Sequence, residues 1–164
     1  MIDRNELIKW LKSIDKKLHR KITLVAVGGT AMTLLGLKSS TMDMDFCISS
    51  DEKKDFERHL DKSFKVDVFT DGYIFSEQLP ADYAEKSKEI ISMKNIVLKA
   101  LNPVDIVITK AARFNARDEE DIEALSKHVD KDELIKRFND VVKSYSGKED
   151  EYRYHMKIIL KRFF

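Results

Sequence analysis

Asp43, Asp45 and Asp67 are the residues of this chain whose type and spacing could do chemistry. In TMDMDFCI, Met42, Met44, Phe46 and Ile48 alternate with Asp43, Asp45 and Cys47. A period of two sets the apolar side chains on one face of a strand and both carboxylates on the other. Residues i and i+2 on one strand face stand about 6.6 Å apart at the backbone, near enough for their side chains to converge on divalent cations about 3.5–4 Å apart. The segment KVDVFT repeats the arrangement, with Val66 and Val68 facing one way and Asp67 the other. Alone, Asp67 would read as a solvent-facing residue near a strand end. Beside the earlier pair it presents a third carboxylate.

The element preceding these strands has its own chemistry. Ile22 to Val27 is a short apolar run that ends at Gly28-Gly29-Thr30, after which Ala31, Met32, Leu34 and Leu35 suit a helix. Two glycines allow positive φ and a close backbone approach, and the following helix aims unsatisfied amides at whatever lies above the turn, a place that suits a phosphate. Thr30 could cap that helix or offer its hydroxyl to the same phosphate. Many strand-to-helix turns use glycine for structural reasons only. The absence of Gly-Lys-Ser/Thr excludes a Walker-type loop, and the glycine spacing does not fit the dinucleotide fingerprint.

Composition narrows the setting. A chain of 164 residues suits one domain, or one domain with a helical appendage. Thirty basic and 29 acidic residues give a mixed surface of net charge +1, so a polynucleotide partner would need a local patch. The single cysteine, Cys47, excludes an internal disulfide and reads as a small core residue in a reduced compartment. No window nears 18 consecutive apolar residues, and MIDRNELIKW has acids where a signal peptide would be basic. The expectation is a cytoplasmic protein without a membrane partner.

The remaining elements follow from periodicity and capping. Asp3 and Glu6 form a capping box for a helix with Leu7, Leu11, Ile14 and Leu18 on its apolar stripe, where Trp10 reads as packing. Ser49 to Glu52 predicts a second box, opening a helix that buries Phe56, Leu60 and Phe64. Glu89–Met93 and Ile96–Leu101 predict a hairpin around Lys94-Asn95. Asn102-Pro103 starts a helix, with Asp105 in its first turn and Lys110 and Arg113 on one edge. ARDEEDIEAL opens the next with Asp118 and Asp121, and two more helices run from Asp130 and from Lys148 to Phe164. His19, His59, His128 and His155 lie in separate helices without ligand spacing and read as solvated.

Strand, Gly-Gly-Thr, helix, Asp43-x-Asp45 and then Asp67 on the following strand together resemble the DNA polymerase β-like nucleotidyltransferase superfamily. LNPVDIVITKAARFNARDEEDIEAL resembles the lysine-bearing and acidic helices of minimal nucleotidyltransferases, including the abortive-infection and type IV toxin–antitoxin toxins. The resemblance implies that Asp43 and Asp45 ligate nucleotide-associated and catalytic Mg²⁺, with Mn²⁺ as a substitute. It implies that Asp67 completes the catalytic shell or acts as base, and that Gly28, Gly29 and Thr30 hold phosphates while Lys110 neutralises the triphosphate. Asp121 matches a fourth acidic motif, with Asp118 close enough to compete for it. The family's usual turn is Gly-Ser, so Thr30 adds a methyl group.

The implied activity is transfer of a nucleoside monophosphate from an NTP such as ATP to a hydroxyl on tRNA, protein or a small molecule, with an antitoxin as a further partner. The alternative is a regulatory module that binds nucleotide without useful turnover. The expected fold is α/β (α+β): a small mixed sheet of four or five strands flanked by helices in a nucleotidyltransferase core over residues 1–101, then a helical C-terminal region over 102–164.

Overall fold

In the computed structural model, which describes residues 1–164, the chain forms two units: Met1–Asp71 with Ala84–Leu101, and Gly72–Tyr83 with Asn102–Phe164. The segment Gly72–Tyr83, expected with residues 1–101, belongs to the second unit. There the amide and hydroxyl of Ser146 both donate to the Ser76 carbonyl, at 3.2 and 3.3 Å.

The first unit begins with β1 (Ile2–Asp3), α1 (Arg4–Asp15), β2 (Ile22–Ala26), α2 (Gly28–Leu34), β3 (Ser40–Thr41) and β4 (Met44–Ile48). It continues through α3 (Lys53–Glu57) and β5 (Val66–Thr70). Beyond the β6 (Tyr73–Ile74) and β7 (Glu77–Gln78) hairpin and the single turn α4 (Tyr83–Lys86), it closes with β8 (Lys88–Ser92) and β9 (Ile96–Ala100). Its strands lie in the order β5-β4-β2-β9-β8. β2 runs antiparallel to β4 and parallel to β9, β4 runs parallel to β5, and β8 and β9 form the expected antiparallel hairpin. The pairing is mixed, as the sequence predicts.

Leu24, Met44, Phe46, Ile96 and Leu98 are fully buried on its strands, and Leu7, Leu11 and Ile14 bring the stripe of α1 into the core. The capping box of Asp3 and Glu6 forms as predicted, with the Glu6 amide donating to Asp3. At the other end of α1, the buried Asp15 carboxylate accepts from the amides of Asn95 and Ile96 at 2.7 and 2.8 Å, while Asn95 Nδ2 donates to the Asp15 and Leu18 carbonyls. One acid and one amide thus join α1 to the turn between β8 and β9.

Some local expectations are corrected. Met42 precedes β4 and is exposed, so the apolar face starts at Met44. The helix after Ser49 spans only Lys53–Glu57 and has no side-chain cap; Phe56 is buried, but Phe64 lies beyond the helix, edge-on to Trp10.

In the second unit α5 (Pro103–Arg113) is capped by Asn102, whose side chain accepts from the Asp105 amide at 3.0 Å. α5 ends at Phe114, where φ is +46° and the amide donates to the Lys110 carbonyl, leaving Asn115 to cap α6 (Ala116–Ser126). α7 (Lys131–Val141) and α8 (Glu149–Phe163) complete it. The Tyr152 hydroxyl donates to the Ile108 carbonyl at 2.6 Å, and its ring stacks edge-on against Phe138. His155 is not simply solvated: its Nδ1 lies 2.8 Å from the Ala111 carbonyl, and its ring lies against Phe114.

Candidate active site

The parallel register of β4 and β5 sets Asp45 directly opposite Asp67. Adjacent strands stand about 4.8 Å apart, so two carboxylates on one face of neighbouring strands share the space above the sheet. Asp43, one residue before β4, joins them through Lys65, whose Nζ lies 3.8 Å from Asp43 Oδ2 and 3.9 Å from Asp67 Oδ2. The alternation expected for Met42–Ile48 is therefore kept by Asp43 and Asp45, although Cys47, of the same parity, is fully buried.

Backbone chemistry holds Asp45 in place. Its carbonyl accepts from the Val27 amide at 3.0 Å and its amide donates to Thr30 Oγ1 at 2.9 Å, so both ends of the residue are tied to the β2–α2 junction. The Thr30 hydroxyl donates in turn to the Asp43 carbonyl at 3.2 Å, and that carbonyl also accepts from Thr41 Oγ1 at 3.0 Å. Thr30 is fully buried. It neither caps α2, which has no side-chain cap, nor has an exposed hydroxyl to meet a ligand; it joins the backbones of the two aspartates.

The glycines form the first turn of α2. Gly28 has φ +54°, and a Cβ built there would lie 3.7 Å from Asp45 Oδ2, so the glycine junction borders the carboxylates directly. A Cβ on Gly29 would stand 2.9 Å from Thr41 Oγ1, the hydroxyl that holds the Asp43 carbonyl. Close approach to Thr41 therefore requires the second glycine.

Lys110 lies in the second unit. It is buried on α5, with Nζ 2.8 Å from Asp121 and 3.6 Å from Asp118. Arg113, on the same helical edge as predicted, donates from Nε and Nη2 to both oxygens of Asp118, at 2.8 and 2.6 Å. Burial opposes the charge on Asp118. The hydrogen bonds from Arg113 and Asn115 and the Lys110 charge outweigh it and hold the carboxyl below its usual range. Lys110 is thus neither the solvated helix lysine that helical charge usually denotes nor an unpaired cation.

All three triad donors are hard carboxylate oxygens, the set Mg²⁺ prefers. As they stand, no three carboxylate, imidazole or thiolate groups anywhere in the chain are close enough to enclose a metal ion. Asp43 and Asp67 are like charges with the Lys65 ammonium near both, and drawing the acids into one coordination shell requires a stronger countercharge. The donor chemistry therefore fits a divalent ion, and the side chains must close on it.

Residues 5–163 match the family described as a nucleotidyltransferase of unknown function, DUF6036. The chain belongs to this family. Among solved structures, this nucleotidyltransferase resembles a Thermotoga maritima protein crystallised as a candidate nucleotidyltransferase. The two share 17% identity over 77% of this chain and 94% of that one, with a TM-score of 0.47. No curated protein matches the nucleotidyltransferase chain. No helix is long and apolar enough to cross a membrane.

Two features of the nucleotidyltransferase's site escape a reading for acids and glycines. Lys65 is two residues before Asp67, so strand parity alone puts it on the same face; Thr41, at the end of β3, instead reaches the Asp43 carbonyl across the bend before β4. Their partners become visible only when β4, β5 and α2 are brought together.

Proposed function

We infer that the chain transfers a nucleoside monophosphate from an NTP to a hydroxyl acceptor, releasing pyrophosphate, with Asp43, Asp45 and Asp67 holding Mg²⁺ or Mn²⁺. The observation that carries this reading is the register of β4 and β5, which opposes Asp45 to Asp67 beside the glycine junction. When bound, the ion would supply the charge that steadies the attacking and leaving oxygens of an in-line displacement. Asp67 would complete the ion's ligands or take the proton from the acceptor hydroxyl. That oxygen forms its bond to the α-phosphorus as the bond to the pyrophosphate oxygen breaks. Thr30 serves by fixing the backbones of Asp43 and Asp45, whereas Gly28 and Gly29 would leave room for phosphates beside Asp45. Lys110 enters as a charge for the triphosphate, and that role requires it to exchange a carboxylate for a phosphate.

The ion pairs of Lys110 and the separation of the three acids favour a second reading, a module that binds nucleotide without turnover. Incubation with Mg²⁺ and labelled NTPs, with and without total tRNA, separates the two. Label transferred to an acceptor and reduced at least about 100-fold in Asp43→Ala supports catalysis. Tight NTP binding without transfer supports the module. A tRNA or protein acceptor and an antitoxin partner, as in toxin–antitoxin systems, belong to the same proposal and rest on the Lys110–Asp121 motif alone.

A further inference from the structure

We propose that Lys65 is a tethered countercation that occupies the carboxylate cluster in the metal-free protein and gives way when a divalent ion binds. The inference deepens the metal reading of Asp43, Asp45 and Asp67 and rests on it. Lys65 Nζ lies 3.8 Å from Asp43 and 3.9 Å from Asp67, contacts too long to be hydrogen bonds. Its side chain is 68% exposed. Charge, and not directed bonding, holds it there, so water can replace its contacts at little cost. Lys110 is the contrast within the same chain: its side chain is only 8% exposed and it meets Asp121 at 2.8 Å, the geometry of a cation that stays where it is.

Lys65 also has a reason to be where it is. Asp43 and Asp67, brought to one side of the sheet, repel one another, and the ammonium between them relieves that repulsion. Mg²⁺ takes carboxylate oxygens at about 2.0–2.1 Å, so an ion drawing in Asp43 and Asp67 claims the oxygens that face Lys65. Two cations cannot share them without repulsion. Lys65 therefore weakens the apparent affinity for the ion while keeping the acids together in its absence.

The test uses the full chain with Mn²⁺ alone as probe, titrated calorimetrically and by loss of the free-ion electron paramagnetic resonance signal. Lys65→Met should bind Mn²⁺ about three- to ten-fold more tightly than the natural protein, the scale of one or two exposed ion pairs. Lys65→Arg should stay near the natural affinity because it keeps the charge. Without metal, Lys65→Met should melt at a lower temperature, and saturating Mn²⁺ should remove that deficit. Equal or weaker Mn²⁺ binding by Lys65→Met overturns the countercation and leaves the metal reading standing. If the natural protein, Lys65→Met and Asp67→Asn all fail to bind Mn²⁺, the metal reading falls and the countercation falls with it.

Discussion

Removing the Thr30 hydroxyl would strip the Asp45 amide of its acceptor and the Asp43 carbonyl of one of its two donors. Thr30→Val keeps the shape and should cost about 1–3 kcal/mol, the penalty for a buried group left unpaired. Thr30→Ser should recover most of it, and urea denaturation of the two variants checks this. Glu77 on β7 behaves differently. It is buried with Oε2 unpartnered, and burial pushes its carboxyl up to about 7 against the opposing pull of neighbouring backbone amides and Arg113. Below the ordinary value of 4.5, the folded and unfolded chains both keep the proton and Glu77 has no net effect. Between 4.5 and about 7 the unfolded chain releases the proton first, so stability falls as pH rises and levels off above about 7. Glu77→Gln should therefore raise the melting temperature at pH 8, by the equivalent of about 3 kcal/mol, and leave it nearly unchanged at pH 4.5. Melting curves across that range would show the slope disappear.

At the scale of elements, α7 is anchored to α5 by a charge pair. Arg137 donates from Nε and Nη2 to the two oxygens of fully buried Asp105 at 2.8 and 2.7 Å, and from Nη1 to Asp82 at 3.0 Å. The hydrogen bonds to Asp105 hold the guanidinium well above its ordinary pKa despite burial, so it is charged at any working pH. Arg137→Met leaves Asp105 charged and uncompensated in the interior, and should cost about 3–5 kcal/mol. Replacing both residues, Arg137→Met with Asp105→Leu, should recover much of that loss, as a double-mutant cycle in thermal unfolding would show. The helix starts were legible because caps are local: Asp3 and Glu6, Asn102 with Asp105, and Asp130 all act within one turn of their own sequence. The helix α3 is shorter than its sequence predicts for the same reason: Ser49 and Glu52 have the spacing of a cap, but spacing does not decide how far the helix runs.

Across the first unit, Asp67 of the candidate site lies more than 20 residues in sequence from Asp43 and Asp45, and a ligand held by all three should stabilise the fold that brings them together. Saturating Mn²⁺ or Mg²⁺ should add about 1–3 kcal/mol to the natural protein and nothing to Asp45→Asn or Asp67→Asn, measured as a shift in thermal midpoint and reversed by chelation. The alternation of Asp43, Asp45 and Asp67 with apolar residues was legible because strand parity is a property of the chain alone. So were the apolar stripe of α1, the β8–β9 hairpin and the glycine pair between strand and helix. What each functional group meets was not legible. Parity cannot say which strand lies next to β4 or in what register, and so it could not oppose Asp45 to Asp67, clip Thr30 to two backbones or set Lys65 between two acids. Those contacts join residues with no local relation, and only the packing of β2, β4, β5 and α2 against one another decides them.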